Sequence, residues 1–352
     1  NDTMKYFYRH TEINLKDSQN TFPAILVTGP RQVGKSTTLR KIYSNLKTIS
    51  LDSQVIRIAA QEDPRGFLEI CGNPLILDEI QKVPILFDEI KAIIDSNRKN
   101  GMFFLTGSQS FELMEHVTES LSGRVSIITM LGLSTREIYS ATVTLPFLPT
   151  KNILLKRSPN YRFTNKKLWE RIHRGSFPEL WANPSLNWDK FYSSYVQTYL
   201  ERDIRDLGQV GNLDTFRKFM TSVAARTAQM LNMASIAKDV GVDQTTIKRW
   251  LSILEASHII ELVYPFSTNI TKRIIKAPKL YFTDSGLVSY LTRWTSPETL
   301  EAGAMSGQIF ETYVFSELVK SYINCGKTLD LYYYRDTNGE EVDFILYENN
   351  TL

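Results

Sequence analysis

The chain has 352 residues, of which 42% are hydrophobic and 22% are charged. This composition is typical of a globular protein of two or three domains and excludes a chain that is disordered throughout. No apolar run approaches the roughly 20 residues of a membrane span, and residues 1–15 contain no secretory signal, so we expect a cytoplasmic protein with no membrane partner. Two cysteines and four histidines are too few for a disulfide framework or a zinc cluster.

The net charge of +3 is unevenly distributed along the chain. Residues 1–150 carry 16 basic and 16 acidic side chains, whereas residues 151–280 carry 21 basic and 11 acidic ones. Residues 281–352 carry 4 basic and 11 acidic side chains. The basic middle is therefore the part of the chain where we expect a polyanion such as DNA to bind.

The first 150 residues alternate between strand-like and helix-like segments, which predicts a parallel sheet with helices on both faces. The apolar run Ala24–Thr28 predicts a buried strand, and a loop with the pattern G-x-x-x-x-G-K-S follows it and precedes a predicted helix. In this context the pattern predicts a loop whose backbone N–H groups bind the phosphates of ATP. Lys35 is expected to reach the outer phosphates, and Ser36 to bind Mg²⁺. The predicted nucleotide-binding residues are Gly29, Pro30, Arg31, Gln32, Val33, Gly34, Lys35, Ser36 and Thr37.

A second motif supports the same site. The segment Pro74–Glu79 predicts an apolar strand that ends in two acidic residues. Asp78 would hold Mg²⁺, directly or through water, and Glu79 would orient and activate the attacking water. Because transfer of phosphate to a bound small molecule does not need such a glutamate, the Asp-Glu pair favours ATP hydrolysis.

The strand predicted over 102–106 ends next to Gly107 and Ser108. Either Ser108 or Thr106 is a candidate to sense the γ-phosphate, and ordinary turn chemistry is an equally good explanation of these residues.

Arg124 lies between a predicted helix over 110–121 and a predicted strand over 125–130. Oligomeric ATPases present an arginine finger to a neighbouring subunit at this position, which predicts a catalytic role for Arg124 in a homo-oligomer. The alternative is an ordinary surface ion pair.

The middle of the chain predicts two further domains after a linker over 144–162. We expect a helical lid over the adenine at 151–212 and a winged helix at 213–285, with two helices around a turn and then two strands on either side of a basic loop. Four side chains are candidates for non-specific contacts with DNA phosphates: Lys248, Arg249, Lys272 and Arg273. The alternative is a winged helix that only docks protein.

Six motifs in order carry a family resemblance: G-P-R-Q-V-G-K-S, L-I-L-D-E-I-Q, L-T-G-S-Q-S, L-S-G-R, G-S-F-P-E and K-A-P-K-L-Y-F-T-D-S-G-L. Over essentially the whole chain, the sequence resembles the prokaryotic AAA-type ATPases that carry a conserved C-terminal domain of unknown function. The resemblance implies an ATP-binding module of the AAA+/STAND group over residues 1–150, followed by the lid and the winged helix. It also implies that Gly175 and Pro178 correspond to a glycine–proline motif near the adenine, although their spacing is one residue longer than G-x-P.

The resemblance further implies a partial nuclease-like α/β domain of the PD-(D/E)XK type over residues 286–352. Its matching positions are Glu311, on a predicted helix over 308–322, and Asp343. Such a site also needs a third acid and a lysine after Asp343, and no Glu-x-Lys segment follows it, so we expect no nuclease activity from this chain.

These features predict a Mg²⁺-dependent ATPase that drives a conformational switch or an oligomeric assembly, with DNA as a candidate partner. One alternative is a DNA-binding regulator that ATP controls with little turnover. Another is an ATP-regulated nuclease whose site is incomplete in this chain.

Overall fold

The computed structural model describes residues 5–108, 111–142, 144–158, 161–200, 213–267, 277–336 and 338–348. The chain divides into two compact units. The N-terminal unit comprises residues 8–132 and 323–326, and the C-terminal unit comprises residues 1–7, 133–322 and 327–352. The four-part division predicted from the sequence is finer than this and stays a prediction.

The N-terminal unit alternates between helices and strands. Its elements are α1 (Glu12–Gln19), β1 (Ala24–Thr28), α2 (Lys35–Ile42), β2 (Lys47–Ser50), α3 (Gln54–Glu62), α4 (Pro64–Cys71), β3 (Leu75–Asp78), a 3₁₀ turn (Ile80–Lys82), α5 (Leu86–Ser96), β4 (Phe103–Thr106), α6 (Phe111–Leu121) and β5 (Val125–Thr129).

The five strands form one sheet in the order β2-β3-β4-β1-β5, and every neighbouring pair is parallel. All five residues of β1 are buried, which explains the uniformly apolar run before the loop. Helix α5 adds Leu86, Phe87, Ile90 and Ile94 to the hydrophobic core, at the spacing of one helix face. Because β4 lies between β1 and β3, the carboxyl ends of these three strands lie side by side. The predicted parallel α/β fold is confirmed for this unit.

The C-terminal unit is mainly helical. Its elements are α7 (Thr135–Ile138), α8 (Lys151–Lys156), α9 (Asn165–Arg174), α10 (Pro178–Ala182), α11 (Trp188–Tyr195), a π-helical segment (Val196–Leu200), α12 (Leu213–Ala224), β6 (Gln229–Met230), α13 (Met233–Val240), α14 (Gln244–Ala256), β7 (Ile260–Val263), β8 (Lys279–Phe282), α15 (Ser285–Leu291), α16 (Pro297–Glu301), α17 (Ser306–Ile323), β9 (Leu331–Arg335) and β10 (Glu341–Leu346).

Two small antiparallel sheets accompany these helices. Strands β6, β8 and β7 form one sheet in that order, and β9 pairs with β10 in the other. The two-residue strand β6 was not predicted, because a strand this short has no periodic pattern.

The linker predicted over 144–162 is wrong in one respect, because the short helix α8 lies within it. The Thr150 side chain accepts a hydrogen bond from the Ile153 N–H and so caps this helix. The prolines of the segment lie outside the helix and directed the prediction towards a loop. In the part of the chain that the structure describes, no helix has the length and apolar character of a membrane span.

Candidate functional site

The phosphate loop predicted from the sequence connects β1 to α2 in the N-terminal unit. Gly29 has φ +133°, and a Cβ there would collide with the main-chain carbonyl of Met130, so only glycine fits. Gly34 is the N-cap of α2, with φ +94°. The next residue, Lys35, is only 6% exposed, and its Nζ donates to the carbonyl oxygens of Gly29 (3.0 Å) and Pro30 (2.7 Å). The fold therefore holds a buried ammonium group against the loop at the N-terminus of a helix, where anions bind favourably.

The hydroxyl group predicted to bind a metal lies beside the predicted acid. Ser36 Oγ donates to Asp78 Oδ1, and Thr106 Oγ1 donates to the same oxygen. These residues come from the start of α2 and the ends of β3 and β4, which the strand order brings together. Hydroxyl and carboxylate oxygens are the hard ligands that Mg²⁺ prefers, so the donor set fits this ion. Thr106 thus contacts the predicted metal ligand Asp78. From the sequence, Thr106 was a candidate only for sensing the γ-phosphate.

Glu79 directly follows the metal-side acid and has a left-handed backbone, with φ +59°. Its N–H donates to Thr106 Oγ1 at 3.2 Å, and its Oε2 accepts from Gln81 Nε2 at 2.5 Å. These bonds fix both the main chain and the carboxylate of the predicted water-activating residue. Sequence reasoning missed Gln81, although it lies two residues further along the same motif.

Ser108, the other predicted phosphate sensor, lies just beyond the end of β4 and is 9% exposed. Its Oγ has no hydrogen-bond partner among the described residues. A buried hydroxyl without a protein partner is compatible with a ligand contact, and the neighbouring Gln109 lies outside the described residues.

The remaining predicted loop residues surround the same turn. Gln32 has φ +60° and is exposed, Val33 is buried, and Thr37 is exposed on α2. Sequence reasoning missed Arg9, whose side chain donates to the carbonyl oxygen of Val33 at 2.8 Å. An arginine 20 residues before the loop motif matches no spacing rule that could have identified it.

Arg124 lies at the amino-terminal ends of the parallel strands, whereas the phosphate loop lies at their carboxyl-terminal ends. Its carbonyl accepts from the N–H of Ala24, the first residue of β1, whereas the loop follows the last residue of that strand. Five residues of extended chain span about 16 Å, so Arg124 cannot contribute to the phosphate site of its own chain. Its guanidinium makes two bonds to Asp95, at 2.6 and 3.0 Å. These hydrogen bonds raise the pKa of Arg124 and lower the pKa of Asp95.

The predicted lid residues Gly175 and Pro178 belong to the C-terminal unit. Pro178 occupies the first turn of α10, and a Cβ on Gly175 would collide with the hydroxyl of Tyr192. The N–H and hydroxyl of Ser176 both donate to Asp284 Oδ1 at 2.6 Å, and the Tyr192 hydroxyl donates to Asp284 Oδ2 at 2.7 Å. The G-S-F-P-E and T-D-S-G-L motifs thus pack against each other. Their contact with adenine stays a prediction.

The predicted DNA contacts are divided between described and undescribed parts of the chain. Lys248 and Arg249 are exposed on α14, as predicted, while Ile247, Trp250 and Leu251 of the same helix are buried. Asp243 caps this helix by accepting from the Thr246 N–H at 2.8 Å. Lys272 and Arg273 lie outside the described residues.

The two nuclease-like acids lie on either side of a lysine from an earlier strand. Lys279 of β8 donates to Glu311 Oε1 at 3.2 Å, to Asp343 Oδ1 at 3.1 Å and to Glu341. No Glu-x-Lys segment follows Asp343, but the fold brings Glu341 and Lys279, which lies 64 residues before Asp343, to the two predicted acids. We call Lys279, Glu311, Glu341 and Asp343 the Lys279 cluster.

The electrostatics of the Lys279 cluster are those of an internally paired ionic group. Burial opposes the charge of Lys279, but its hydrogen bonds and charge contacts with the three acids outweigh burial and raise its pKa. Burial raises the pKa of Glu311, even though Tyr281 and Lys279 both donate to it. Within the described residues, no group of three or more acidic, histidine or cysteine side chains is arranged to hold a metal ion.

Comparison with known proteins agrees with this geometry. Residues 21–139 match the family model of an AAA domain, which spans the phosphate loop, Asp78, Glu79 and Arg124. The N-terminal part of the chain is an AAA-type P-loop domain. Residues 165–298 and 306–352 match two domains of unknown function, DUF8612 and DUF4143. The resemblance found in the sequence is thus confirmed, with a C-terminal region whose role is not defined by its families.

Two similar proteins extend the comparison beyond the AAA domain. Uncharacterized proteins of Mycobacterium tuberculosis and Mycobacterium bovis are each 27% identical over 336 residues, which is 95% of this chain and 70% of theirs. Among solved structures, the Walker-type ATPase PABY2304 of Pyrococcus abyssi is similar with a TM-score of 0.50 and 14% identity, covering 80% of this chain and 94% of that chain. At this identity the likeness supports the P-loop fold alone.

Proposed function

We propose that the AAA domain binds ATP with Mg²⁺ and hydrolyses it. One observation carries the proposal: the hydroxyl groups of Ser36 and Thr106, from two different elements, both donate to one carboxylate oxygen of Asp78 next to the phosphate loop. An acid at the end of a strand does not need two hydroxyl donors for the strand to fold. Together with a lysine held in the loop, this arrangement is what a nucleotide with a metal ion needs.

Each residue has a defined task in the proposed reaction. Lys35 exchanges its bonds to the Gly29 and Pro30 carbonyls for the outer phosphate oxygens, while Ser36 and Asp78 hold the metal ion. When bound, Mg²⁺ neutralises negative charge on the phosphates. Glu79 orients a water molecule and accepts its proton as the water oxygen attacks the γ-phosphorus and the bond to ADP breaks.

If Arg124 is catalytic, its position requires an oligomeric form of this ATPase. Because Arg124 lies about 16 Å from the loop of its own chain, a catalytic contribution requires a second copy. We propose that it neutralises charge on the phosphates bound to a neighbouring subunit, after exchange of its bonds to Asp95.

An ATP-controlled regulator with little turnover is the second candidate. The bond from Gln81 Nε2 to Glu79 favours it, because the amide occupies a carboxylate oxygen that the attacking water would need. The exposed Lys248 and Arg249 on α14 support a DNA surface, within a helix and sheet arrangement that we interpret as a winged helix. On this view we expect weak binding to duplex DNA. Each lysine or arginine that is neutralised should lower the slope of the logarithm of the binding constant against the logarithm of the salt concentration by about one unit.

Steady-state ATP hydrolysis, measured against protein concentration with and without duplex DNA, tests the proposal. We expect Mg²⁺-dependent turnover whose specific rate rises with concentration, and no nucleotide binding by Lys35→Ala. If the wild-type chain binds ATP but does not hydrolyse it, either with DNA or at high protein concentration, the result favours the regulator. Unchanged affinity of Lys35→Ala for a Mg²⁺–ATP analogue would overturn the site assignment.

A further inference from the structure

Arg9 precedes the AAA domain match, and its side chain contacts the phosphate loop. It is 2% exposed within the N-terminal unit. Its Nη1 donates to the Val33 carbonyl at 2.8 Å, and its Nη2 donates to the carbonyls of Leu131 at 2.7 Å and Gly132 at 3.3 Å. One guanidinium therefore connects the phosphate loop to the segment that follows β5.

The bond to Val33 controls the direction of the next N–H group. A trans peptide is planar, so its C=O and N–H point in opposite directions. With the Val33 oxygen bonded to Arg9, the Gly34 N–H points away from Arg9. Gly34 directly precedes Lys35 and caps α2, so this N–H belongs to the group of main-chain donors that a phosphate would meet.

The segment after β5 restrains the other end of the same loop. The Met130 carbonyl lies so close to Gly29 that a Cβ on Gly29 would collide with it, and the Met130 N–H donates to Thr28 at 2.8 Å. Residues 130–132 thus border the first residue of the loop directly and reach Val33 through Arg9. Movement of Gly29 or of the Val33–Gly34 peptide would therefore disturb these contacts.

The contacts suit arginine in particular. Its planar guanidinium presents donors in a fixed fork, so it can bond to three carbonyl groups from two segments without a flexible rearrangement. Its charge is permanent, and burying such a charge is costly unless it is well bonded. The main chain of Arg9 is also fixed, because its N–H donates to Glu12 Oε1 at 2.9 Å.

We propose that Arg9 is a positioning residue of the nucleotide site, which holds the Val33–Gly34 peptide in the orientation that binds phosphate. The inference rests on the proposed ATPase function. Arg9 acts through the loop and not on the nucleotide itself, so its loss should weaken binding more than the chemical step.

The test compares Arg9→Met, Arg9→Lys and Arg98→Met with the wild type. Arg98 is the matched control, because it lies in the same unit and its Nη2 donates to the carbonyl of Gly123 at 3.3 Å, away from the phosphate loop. We expect Arg9→Met to raise both the KM for ATP and the Kd for a non-hydrolysable Mg²⁺–ATP analogue about tenfold or more, with kcat changed much less. Arg9→Lys should show an intermediate increase, and Arg98→Met should resemble the wild type.

Several outcomes would overturn the inference. A folded Arg9→Met with wild-type Kd and KM does so, and so does an equal effect of Arg98→Met, which would indicate a general loss of positive charge. Assays are run well below the unfolding temperature of each variant, so that lost stability is not read as lost affinity. If Arg9→Met does not fold, Arg9→Lys decides, and an unchanged Kd for Arg9→Lys overturns the inference. A wild-type chain that binds no nucleotide overturns the proposed function and this inference with it, whereas normal binding by the wild type with unchanged Arg9 variants overturns the inference alone.

Discussion

Two regions of the molecule contain a nearly buried lysine, and the lysine has different hydrogen-bond partners in each. In the phosphate site, Lys35 donates to the main-chain carbonyls of Gly29 and Pro30, while Asp78 accepts from hydroxyl groups. In the Lys279 cluster, a lysine that is 4% exposed donates directly to three carboxylates.

The difference separates a site prepared for a ligand from a structural ion cluster. A phosphate or a metal ion can replace a neutral carbonyl or hydroxyl partner at modest cost, because such bonds contribute about 1 kcal/mol each. A charged lysine surrounded by carboxylates already has the partners that a ligand would offer. On the proposed function, the first arrangement binds a charged ligand, whereas the second neutralises its own charge.

The strongest test of this comparison is to remove Arg124. On the proposed function, this arginine adds positive charge to the phosphate site of a neighbouring copy. If it acts across a subunit boundary, Arg124→Ala should bind ATP normally and lose roughly 10³-fold or more in turnover. Asp95→Ala is the matched control, because it breaks the same ion pair and keeps the arginine. If Arg124 serves only in that surface ion pair, the two variants should be equally active. Mixing Arg124→Ala with Lys35→Ala protein should restore turnover at Arg124→Ala sites that gain an intact arginine. Full activity of Arg124→Ala alone would make the residue an ordinary surface side chain.

Glu79→Gln tests the chemistry of the phosphate site without changing its shape. We expect nearly normal affinity for ATP and a loss of about 10²–10⁴-fold in kcat, because the variant cannot accept a proton. Gln81→Leu is the companion variant, since it removes the amide that donates to Glu79. The catalytic role would be wrong if affinity and turnover fell together in Glu79→Gln, because that result indicates a structural residue.

The contrast also explains what the sequence could and could not predict. The phosphate site is built from short motifs in which neighbouring residues act together, so β1, the loop, Asp78 and Glu79 were all predicted from local patterns. Strand β1 has the predicted bounds Ala24–Thr28. The roles predicted for the residues of the phosphate site follow from chemistry that depends on residue spacing alone.

The Lys279 cluster and Arg9 depend on contacts between distant segments. Lys279 lies 64 residues before Asp343, and Arg9 lies 24 residues before Val33 and more than 120 residues before Leu131. No periodic pattern marks such partners, because the fold alone brings them together. Ligand counting along the chain therefore found two acids where the structure has three acids and a lysine.

A second buried lysine in the C-terminal unit sharpens the comparison through its pH dependence. Burial and the charge of Arg171 lower the pKa of Lys320 to about 8, although Glu317, Asp284 and Glu137 oppose this shift. Its Nζ donates to the Leu133 carbonyl at 3.4 Å, a weak bond for a buried charge.

The expected effect of Lys320→Met follows from the sign of this shift. The unfolded chain keeps its proton up to about pH 10.5, so between pH 8 and 10.5 it binds more protons than the folded chain, and wild-type stability rises with pH. Below pH 8 the charge is buried at a cost of up to about 3 kcal/mol, which Lys320→Met removes. The variant should therefore unfold at higher urea than the wild type at pH 7 and lose this advantage near pH 10.5. The exposed Lys327→Met is the control, and an unchanged Lys320→Met midpoint at pH 7 would show that the lysine is well accommodated.

The smallest expected effect separates the two lysines of the comparison directly. Lys279→Met leaves Glu311, Glu341 and Asp343 close together without a counter-charge. Since these acids are partly exposed, we expect a loss of about 1–2 kcal/mol in unfolding free energy at pH 7. Because the folded pKa of Lys279 is raised, this stabilising charge is fully present at pH 7 and is lost only as the pH rises through that pKa. The Lys35→Ala variant should lose ATP binding instead.

Added metal ion makes the Lys279 test decisive. The three carboxylates are not arranged to hold a metal ion in the wild type, so Mn²⁺ should leave its stability unchanged. In Lys279→Met the acids are free to rearrange around a cation, and Mn²⁺ should then restore much of the lost stability. The wild-type chain should also cleave no plasmid DNA with Mg²⁺ or Mn²⁺, because its lysine occupies the centre of the acids. Lys279→Met combined with Glu311→Gln is the control, since it removes one of the three acids and should lose the Mn²⁺ effect. Metal-dependent cleavage by the wild type that Asp343→Ala abolishes would show that the Lys279 cluster is an active site, and that a lysine paired with acids can also serve catalysis.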